Sequence, residues 1–320
     1  MTQNAKVFTP APAPLALAVL VLPHASILEV ASVLDPLRAA NRHLGQGAFR
    51  WRVVSPDGQA VPLTCGLDLP AVGPLAAAEG ADALMVVAGF RQAEVATRPL
   101  IRDLRRLAPR FALIGGIDAG PWVLARAGLL DGHRATVHWE DLEDLAAAHP
   151  AVEVVPDRFV IDRARATAGG AAPAQDLMLH LIASRHGRAL ARQVAASFLT
   201  TARPGHDPQI AAADATLDPR VAAAVARMEA RIETPEPARA TAAALGLSPR
   251  RLEALFRADL GTSPAAYALS LRLAAARRMV TDTAHPMAEV ALRCGFSSPA
   301  TFARAFRGAF GVAPSALRRG

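Results

Sequence analysis

Lysine is almost absent from this chain: Lys6 stands alone against 34 arginines. So uneven a split partly reflects genome composition, and the arginine total by itself says nothing about partners. Cysteine is also scarce. Cys65 and Cys294 form no metal-ligand spacing and no disulfide framework, so reduced thiols and no bound metal are expected. Long apolar runs are missing too. None reaches the ~20 residues that a membrane-spanning helix needs, and no membrane partner is expected. What remains is a chain of 320 residues, 52% hydrophobic and 20% charged, a composition that suits two packed domains.

Charge divides those domains. Residues 1–220 carry 21 Lys+Arg and 21 Asp+Glu, whereas residues 221–320 carry 14 and 7, so the net +7 sits in the last hundred residues. That stretch also repeats itself. Pro249, Phe256, Gly261 and Pro264 recur at a constant offset as Pro299, Phe306, Gly311 and Pro314. Each copy opens with Ser-Pro, an N-cap followed by a favoured first helical residue. Leu252, Leu255 and Phe256, then Phe302 and Phe306, keep helical spacing on one face. Arg250, Arg251, Arg257, Ser298, Thr301, Arg304 and Arg307 are left for the outer face or its start. A small residue, Ala242 or Ala291, lies four places before each turn glycine, Gly246 or Gly295. Helix, Gly-containing turn and basic helix make a helix-turn-helix, with double-stranded DNA as the expected partner; the bland alternative is a helical hairpin with solvated arginines. Residues ~216–320, with Ala288-Glu-Val-Ala-Leu-Arg-Cys-Gly-Phe-Ser297, resemble the tandem helix-turn-helix domain of AraC-family transcriptional regulators. Thr234-Pro-Glu-Pro-Ala-Arg-Ala240 departs from that pattern, and the helix there is expected to be short or loosely packed. A long helix, ~264–281, is expected to join the two units.

The front of the chain alternates strand and helix. Leu15–Leu22, Ala83–Ala88 and Phe111–Gly115 are continuous apolar runs, and Phe49–Ser55 alternates. Helices are expected over ~25–43, ~98–108, ~140–148 and ~173–187, with further strand-like runs at Arg134–His138, Val152–Val155 and Ala166–Ala168. Strands apolar on both faces predict a parallel sheet covered on both sides. Lys6 followed by Leu15–Leu22 also has the look of a short secretory signal, but a chain that must meet DNA favours a buried strand and a cytoplasmic location. The divisions expected are a disordered leader at 1–14, a ligand-sensing domain at 15–205, a linker at 206–218 and the DNA-binding domain at 219–320.

In α/β sheets ligands bind at the carboxyl ends of strands. Here the third apolar run leads into Gly115-Gly-Ile-Asp-Ala-Gly120 and then helix, the geometry of a nucleophile elbow. The elbow side chain is Asp118. A plain tight turn with an N-capping Asp is the alternative. Ala125-Arg-Ala-Gly-Leu-Leu-Asp-Gly-His-Arg-Ala-Thr-Val-His-Trp-Glu140, with Thr167-Ala-Gly-Gly170 and Asp176-Leu177, resembles the flavodoxin-like, PfpI-like fold of class I glutamine amidotransferases, the front domain of one AraC subgroup. In enzymes of that fold the resemblance places a Cys at the elbow and a nearby carboxylate, which Glu29 matches; His138 matches a second polar position. With Asp118 replacing the Cys, no sulfur nucleophile remains, and no catalytic residue and no cofactor are expected. The form Gly-Gly-Ile-Asp-Ala-Gly is similar to regulators that sense arginine, glycine betaine or carnitine.

These residues predict a transcriptional regulator in which Asp118 pairs a cationic amine. Phe90, Trp122 and Trp139 could supply aromatic faces to the cation, or could be ordinary core. Glu29 and His138 could equally be capping or hydrogen-bonding residues, and Arg91 either meets a ligand carboxylate or is a solvated loop residue. The resemblance implies a homodimer, and RNA polymerase as a partner if the protein activates. Two other classes stay open: a hydrolase with Asp118 as carboxylate nucleophile and His138 as base, and an architectural DNA-binding protein with an inert front domain.

Overall fold

The computed structural model describes residues 6–11, 13–209, 217–283 and 285–318. Its contacts divide the chain into Met1–Gln209 and Ile210–Gly320, and each unit is built separately. In the first, the strands are β1 (Leu15–Val21), β2 (Phe49–Val54), β3 (Val61–Pro62), β4 (Asp68–Leu69), β5 (Ala83–Ala88), β6 (Leu113–Asp118), β7 (Arg134–Ala135), β8 (Glu153–Val154), β9 (Phe159–Asp162) and β10 (Arg165–Ala168). Six of them make one sheet in the order β2-β1-β5-β6-β10-β9, parallel except for the β10–β9 edge pair. Every residue of β5 is buried, as an unalternating apolar run requires when both faces are covered.

The helices of this unit are α1 (Ile27–Leu44), α2 (Gln92–Val95), α3 (Arg98–Leu107), α4 (Gly120–Arg126), α5 (Leu142–Ala148), α6 (Ala171–His186) and α7 (Arg188–Ser197). One apolar layer joins the sheet to α1, α6 and α7; the other joins it to α3, α4 and α5. The sheet is thus a two-sided core. Gly187, at φ 90°, ends α6 where the sequence places the end of that helix, and separates it from α7, which the sequence does not announce.

Several expectations need correction. The leader is not a loose tail over its described part. Lys6–Phe8 forms a 3-10 turn, Val7 and Phe8 are buried, and Phe8 tilts against His180 at 5.9 Å. Arg185, itself buried, needs acceptors and finds the carbonyls of Val7 and Ala13 at 3.2 and 2.9 Å. The run 134–138 does not extend the main sheet: only Arg134–Ala135 pairs, in parallel, with Glu153–Val154. Most of the expected linker, 210–216, lies outside the described residues, while 206–209 packs on the first unit through the bridge Asp157–Pro208.

The second unit is helical: α8 (Pro219–Glu229), α9 (Ala238–Ala244), α10 (Pro249–Leu260), α11 (Pro264–Asp282), α12 (Met287–Arg293), α13 (Pro299–Phe310) and α14 (Pro314–Leu317). The repeat survives as geometry. The serines Ser248 and Ser298 accept from Arg251 N and Thr301 N, both at 3.2 Å, and Gly261 and Gly311 end the two helices in left-handed conformation. The helix expected to be short, α9, has seven residues, the same as α12, and Ala242 is fully buried. Its unusual prelude has a use, since Glu236 binds Arg227 through two hydrogen bonds, 2.8 and 2.9 Å, and also pairs with Arg231.

Candidate effector site and DNA-reading helices

Asp118 ends β6 with φ 59°, a conformation that costs a non-glycine residue about 1–3 kcal/mol. The turn around it leaves no alternative to glycine. A Cβ at Gly116 would stand 2.7 Å from Pro121 N, and one at Gly120 would stand 2.2 Å from the carbonyl oxygen of Val86. His24 and Arg91, beyond the ends of β1 and β5, also have positive φ. Strain is therefore gathered at the carboxyl edge of the central strands, where a ligand site of this sheet belongs. The N-cap of α4 is Ala119, with no side-chain cap bond, so Asp118 is not the helix cap.

The elbow carboxyl is hydrogen-bonded to the Glu29 carboxyl. Glu29 has a second duty as the third residue of the α1 capping box, where it accepts from Ser26 N at 3.3 Å. Burial pushes Glu29 up to about 7, against the opposing effect of the Ser26 N–H and Asp118. Asp118 is raised well above the ordinary carboxyl range, first by burial, then by the charge and hydrogen bond of Glu29 and by the charge of Asp141. Two acids that share one site cannot both ionise cheaply, so the pair holds a proton at neutral pH.

That proton has a stability consequence. A carboxyl whose folded pKa exceeds its unfolded value stabilises the fold fully at low pH and loses that contribution as pH rises toward 7. Glu29→Gln should therefore flatten the fall in stability between about pH 4.5 and 7, with a gain of at most about 3 kcal/mol above that window. Denaturant unfolding of both proteins at several pH values checks this; parallel curves would show that the pair is ionised throughout.

Other walls follow from the chain. A Cβ at Gly170 would lie 3.6 Å from His138 Cδ2 and 4.0 Å from Asp118 Oδ1, and one at Gly89 would lie 3.6 Å from Asp118 Oδ2. His138 donates its backbone N–H to the carbonyl of Asp118 at 3.3 Å, and its ring tilts against Trp139 at 5.8 Å. Glu29, Asp118 and His138 are thus brought together, and Trp139 adjoins them. Trp139 and Phe90 are 39% and 52% exposed, so neither ring is ordinary core. Trp122 is different. It is buried in the layer beneath, donates to Asp141 Oδ2 at 3.1 Å, and meets Arg126 and His149 on its ring. Arg91 pairs with Glu94, as a solvated loop residue does. Asp141, missed by the sequence reading, adds negative charge near Asp118; the only signal was its place after Trp139-Glu140.

The acids gathered around Asp118 would attract a cation and repel an anion. A groove of about 680 Å³ lies on α3 between Ala96, Ile101, Arg98, Arg102, Arg105, Arg106 and Arg126. Its five arginines would repel that cation. Among the described residues no group of His, Cys, Asp or Glu is arranged to hold a metal, and no helix is long and apolar enough to cross a membrane.

In the second unit Leu252, Leu255 and Phe256 face one small core, and Phe302 and Phe306 face another. Arg250, Arg251, Arg257, Thr301, Arg304 and Arg307 are exposed. Ser298 is half-buried because its hydroxyl caps α13, and Arg257 is tied to Glu253 at 3.1 Å.

Residues 17–184 match the DJ-1/PfpI family and residues 241–320 match a helix-turn-helix domain. The HTH-type transcriptional regulator CdhR of Pseudomonas aeruginosa is 38% identical over 300 residues, 92% of this chain and 89% of that protein. The HTH-type transcriptional regulator GlxA of Rhizobium meliloti is 35% identical over 299 residues, 92% of each chain. A crystal structure of an AraC family transcriptional regulator from Pseudomonas putida matches 58% of this chain and all of its own, with 32% identity and a TM-score of 0.53. With a helix-turn-helix repeat behind a DJ-1/PfpI domain, this chain belongs to the AraC-type transcriptional regulators and binds DNA.

Proposed function

We propose that the front domain is a sensor without turnover and that its ligand is a small amine or amino-acid derivative carrying an alkylated ammonium or guanidinium group. The observation that carries this reading is the Glu29–Asp118 carboxyl pair at an elbow that has no sulfur or hydroxyl nucleophile. A cation entering the pocket replaces the shared proton and meets two carboxylates in a desolvated setting, while Phe90 and Trp139 offer it aromatic faces. Hydrolysis through Asp118 would require an ionised carboxylate, and burial beside Glu29 opposes that state. Thermal-shift screening of the full chain against tetramethylammonium, methylguanidinium and larger amines, followed by calorimetry, tests the reading. Stoichiometric heat without product supports it; steady product release would instead make the domain an enzyme.

For the DNA-binding unit, α10 and α13 are assigned to successive major grooves, about 34 Å apart on one face of the duplex. Arg251→Ala or Arg304→Ala should each weaken operator binding by ~1–3 kcal/mol where the side chain reads a base. Footprints and mobility shifts are the measurements, and protection of a single groove would show that only one unit engages. The front domain is the proposed site of homodimerisation, in the cytoplasm, with RNA polymerase a partner if the regulator activates. Ultracentrifugation of the full chain and of an Arg251→Ala control should give the same dimer at micromolar concentration; a monomer removes the dimer from the scheme.

A further inference from the structure

The chain leaves the front domain through residues 203–209, and its last described side chain turns back inward. Gln209 Nε2 donates to Thr136 Oγ1 at 2.8 Å, to the carbonyl of Val137 at 2.8 Å and to that of Asp157 at 3.1 Å. Two carbonyls among three partners fix which end of the amide is nitrogen. The main chain of the same stretch is held as well. Arg158 donates from Nη1 to the carbonyl of Gln209 and from its backbone N to those of Gly205 and Asp207, while Asp176 Oδ1 accepts from Arg203 N. Arg158 and Asp176 are themselves a buried pair, 2.7 Å apart.

The seat for Gln209 exists because residue 169 is glycine. A Cβ there would stand 2.2 to 2.3 Å from the Gln209 amide, whose atoms are its three nearest neighbours. The next residue, Gly170, faces His138 and Asp118 instead. Val137–His138 is divided in the same way: the Val137 carbonyl accepts from Gln209, and the His138 N–H binds Asp118. Two dipeptides therefore each present one residue to the pocket and one to Gln209. The latch is also incompletely satisfied, since Gln209 Oε1 is buried without a hydrogen bond among the described residues. An orphaned acceptor of this kind favours release, so the side chain itself is kept in its seat only by its amide donors.

We propose that Gln209 is a positioning residue of the effector pocket and the latch through which occupancy reaches the chain leading to the DNA-binding unit. A ligand at Asp118 displaces His138 and Gly170, their neighbours Val137 and Gly169 move with them, and Gln209 with residues 203–209 is let go. The inference rests on the elbow being the effector pocket. By linkage it is reciprocal: unseating Gln209 must also alter the pocket.

Hydrogen exchange of the full chain, read by mass spectrometry, tests it. Residue 169 has no left-handed φ, so Gly169→Ala strains no backbone there and acts as a wedge under Gln209. That variant and Gln209→Ala should each speed exchange at 203–209 by about 5-fold or more, the lower end of ordinary coupling factors. The double variant should add nothing to Gln209→Ala, because no side chain remains to displace. Pocket occupancy is imposed without relying on affinity: Asp118→Cys in a Cys65→Ser background is labelled with a trimethylammonium-ethyl methanethiosulfonate, its thiolate attacking the sulfenyl sulfur to form a mixed disulfide and expelling methanesulfinate. Labelling should speed exchange at 203–209, and should not do so when Gln209→Ala is also present. Unchanged exchange in the wedge variant, or in the labelled protein, overturns the latch. If free amines bind in calorimetry while 203–209 ignores the label, the pocket stands and the latch falls. If the label releases 203–209 while no amine binds, the latch stands and the ligand class is wrong.

Discussion

Asp118→Asn should cost a cationic effector ~2–5 kcal/mol, roughly a thirty- to several-thousand-fold loss of affinity. The substitution keeps the shape of the elbow side chain and its hydrogen bond to Glu29, and removes only the capacity for charge. Since burial and Glu29 favour the uncharged form of Asp118, the amide resembles that form, and unfolding and basal DNA affinity should hardly change. The sign of the pH effect follows. A proton competes with the cation for the carboxyl pair, so wild-type affinity should rise with pH through the neutral range where Glu29 titrates, and the gap to the variant should narrow in acid. Calorimetry on both proteins at three pH values measures all of this. Equal affinities would return Asp118 to the role of a turn residue.

Phe306→Ala is the second large effect. Phe306 is fully buried and stacks edge-on to Phe302 at 5.4 Å and to Phe310 at 4.6 Å, against Val290, Ala291 and Leu273. Truncating such a ring costs ~3–5 kcal/mol, a large share of what a unit of this size has. DNA binding should be lost because α13 no longer holds its place, although no side chain near DNA has changed. Calorimetric unfolding should show a lowered transition for the DNA-binding unit and an unmoved one for the front domain. Arg304→Ala is the contrast, weakening DNA binding with no shift in either transition. An unaltered transition for Phe306→Ala would remove the ring from the core that holds α13.

Helical periodicity and the fixed offset made the second unit legible, because each small core is built from residues close in sequence. The central strands were legible for a related reason: β1, β5 and β6 are buried on both faces and leave unbroken apolar runs. Long-range pairings were harder. Strand β9 escaped notice because Phe159–Asp162 folds back on β10 through Arg163 at φ 54°, where no glycine marks the turn. Val7 and Phe8 looked like part of a proline-rich tail because their burial depends on Arg185, far along the chain. In the candidate site, the glycine pattern located Asp118, and Glu29 came through resemblance. Gln209 gave no local signal at all, because its partners Thr136, Val137 and Asp157 lie in other loops.

Gly295 is more than a turn residue. A Cβ on it would collide with the carbonyl of Ile232 at 2.5 Å and with the ring of Pro235, so the turn of the second helix-turn-helix is pressed against the loop before the first. Arg272 of α11 closes the other side, donating to the carbonyls of Cys294 and Gly295 and lying over Phe296 at 4.2 Å. Under the proposed assignment of α10 and α13 to successive grooves, two helices clamped at one point from both sides behave as a ruler of fixed length. Such a ruler tolerates base changes within a half-site far better than a change of phase between half-sites. One inserted base pair turns the second half-site by about 34° around the duplex axis, from ~10.5 bp per turn, and neither α11 nor the loop has slack to follow it. Promoters served by this regulator would then drift in sequence while keeping their spacing.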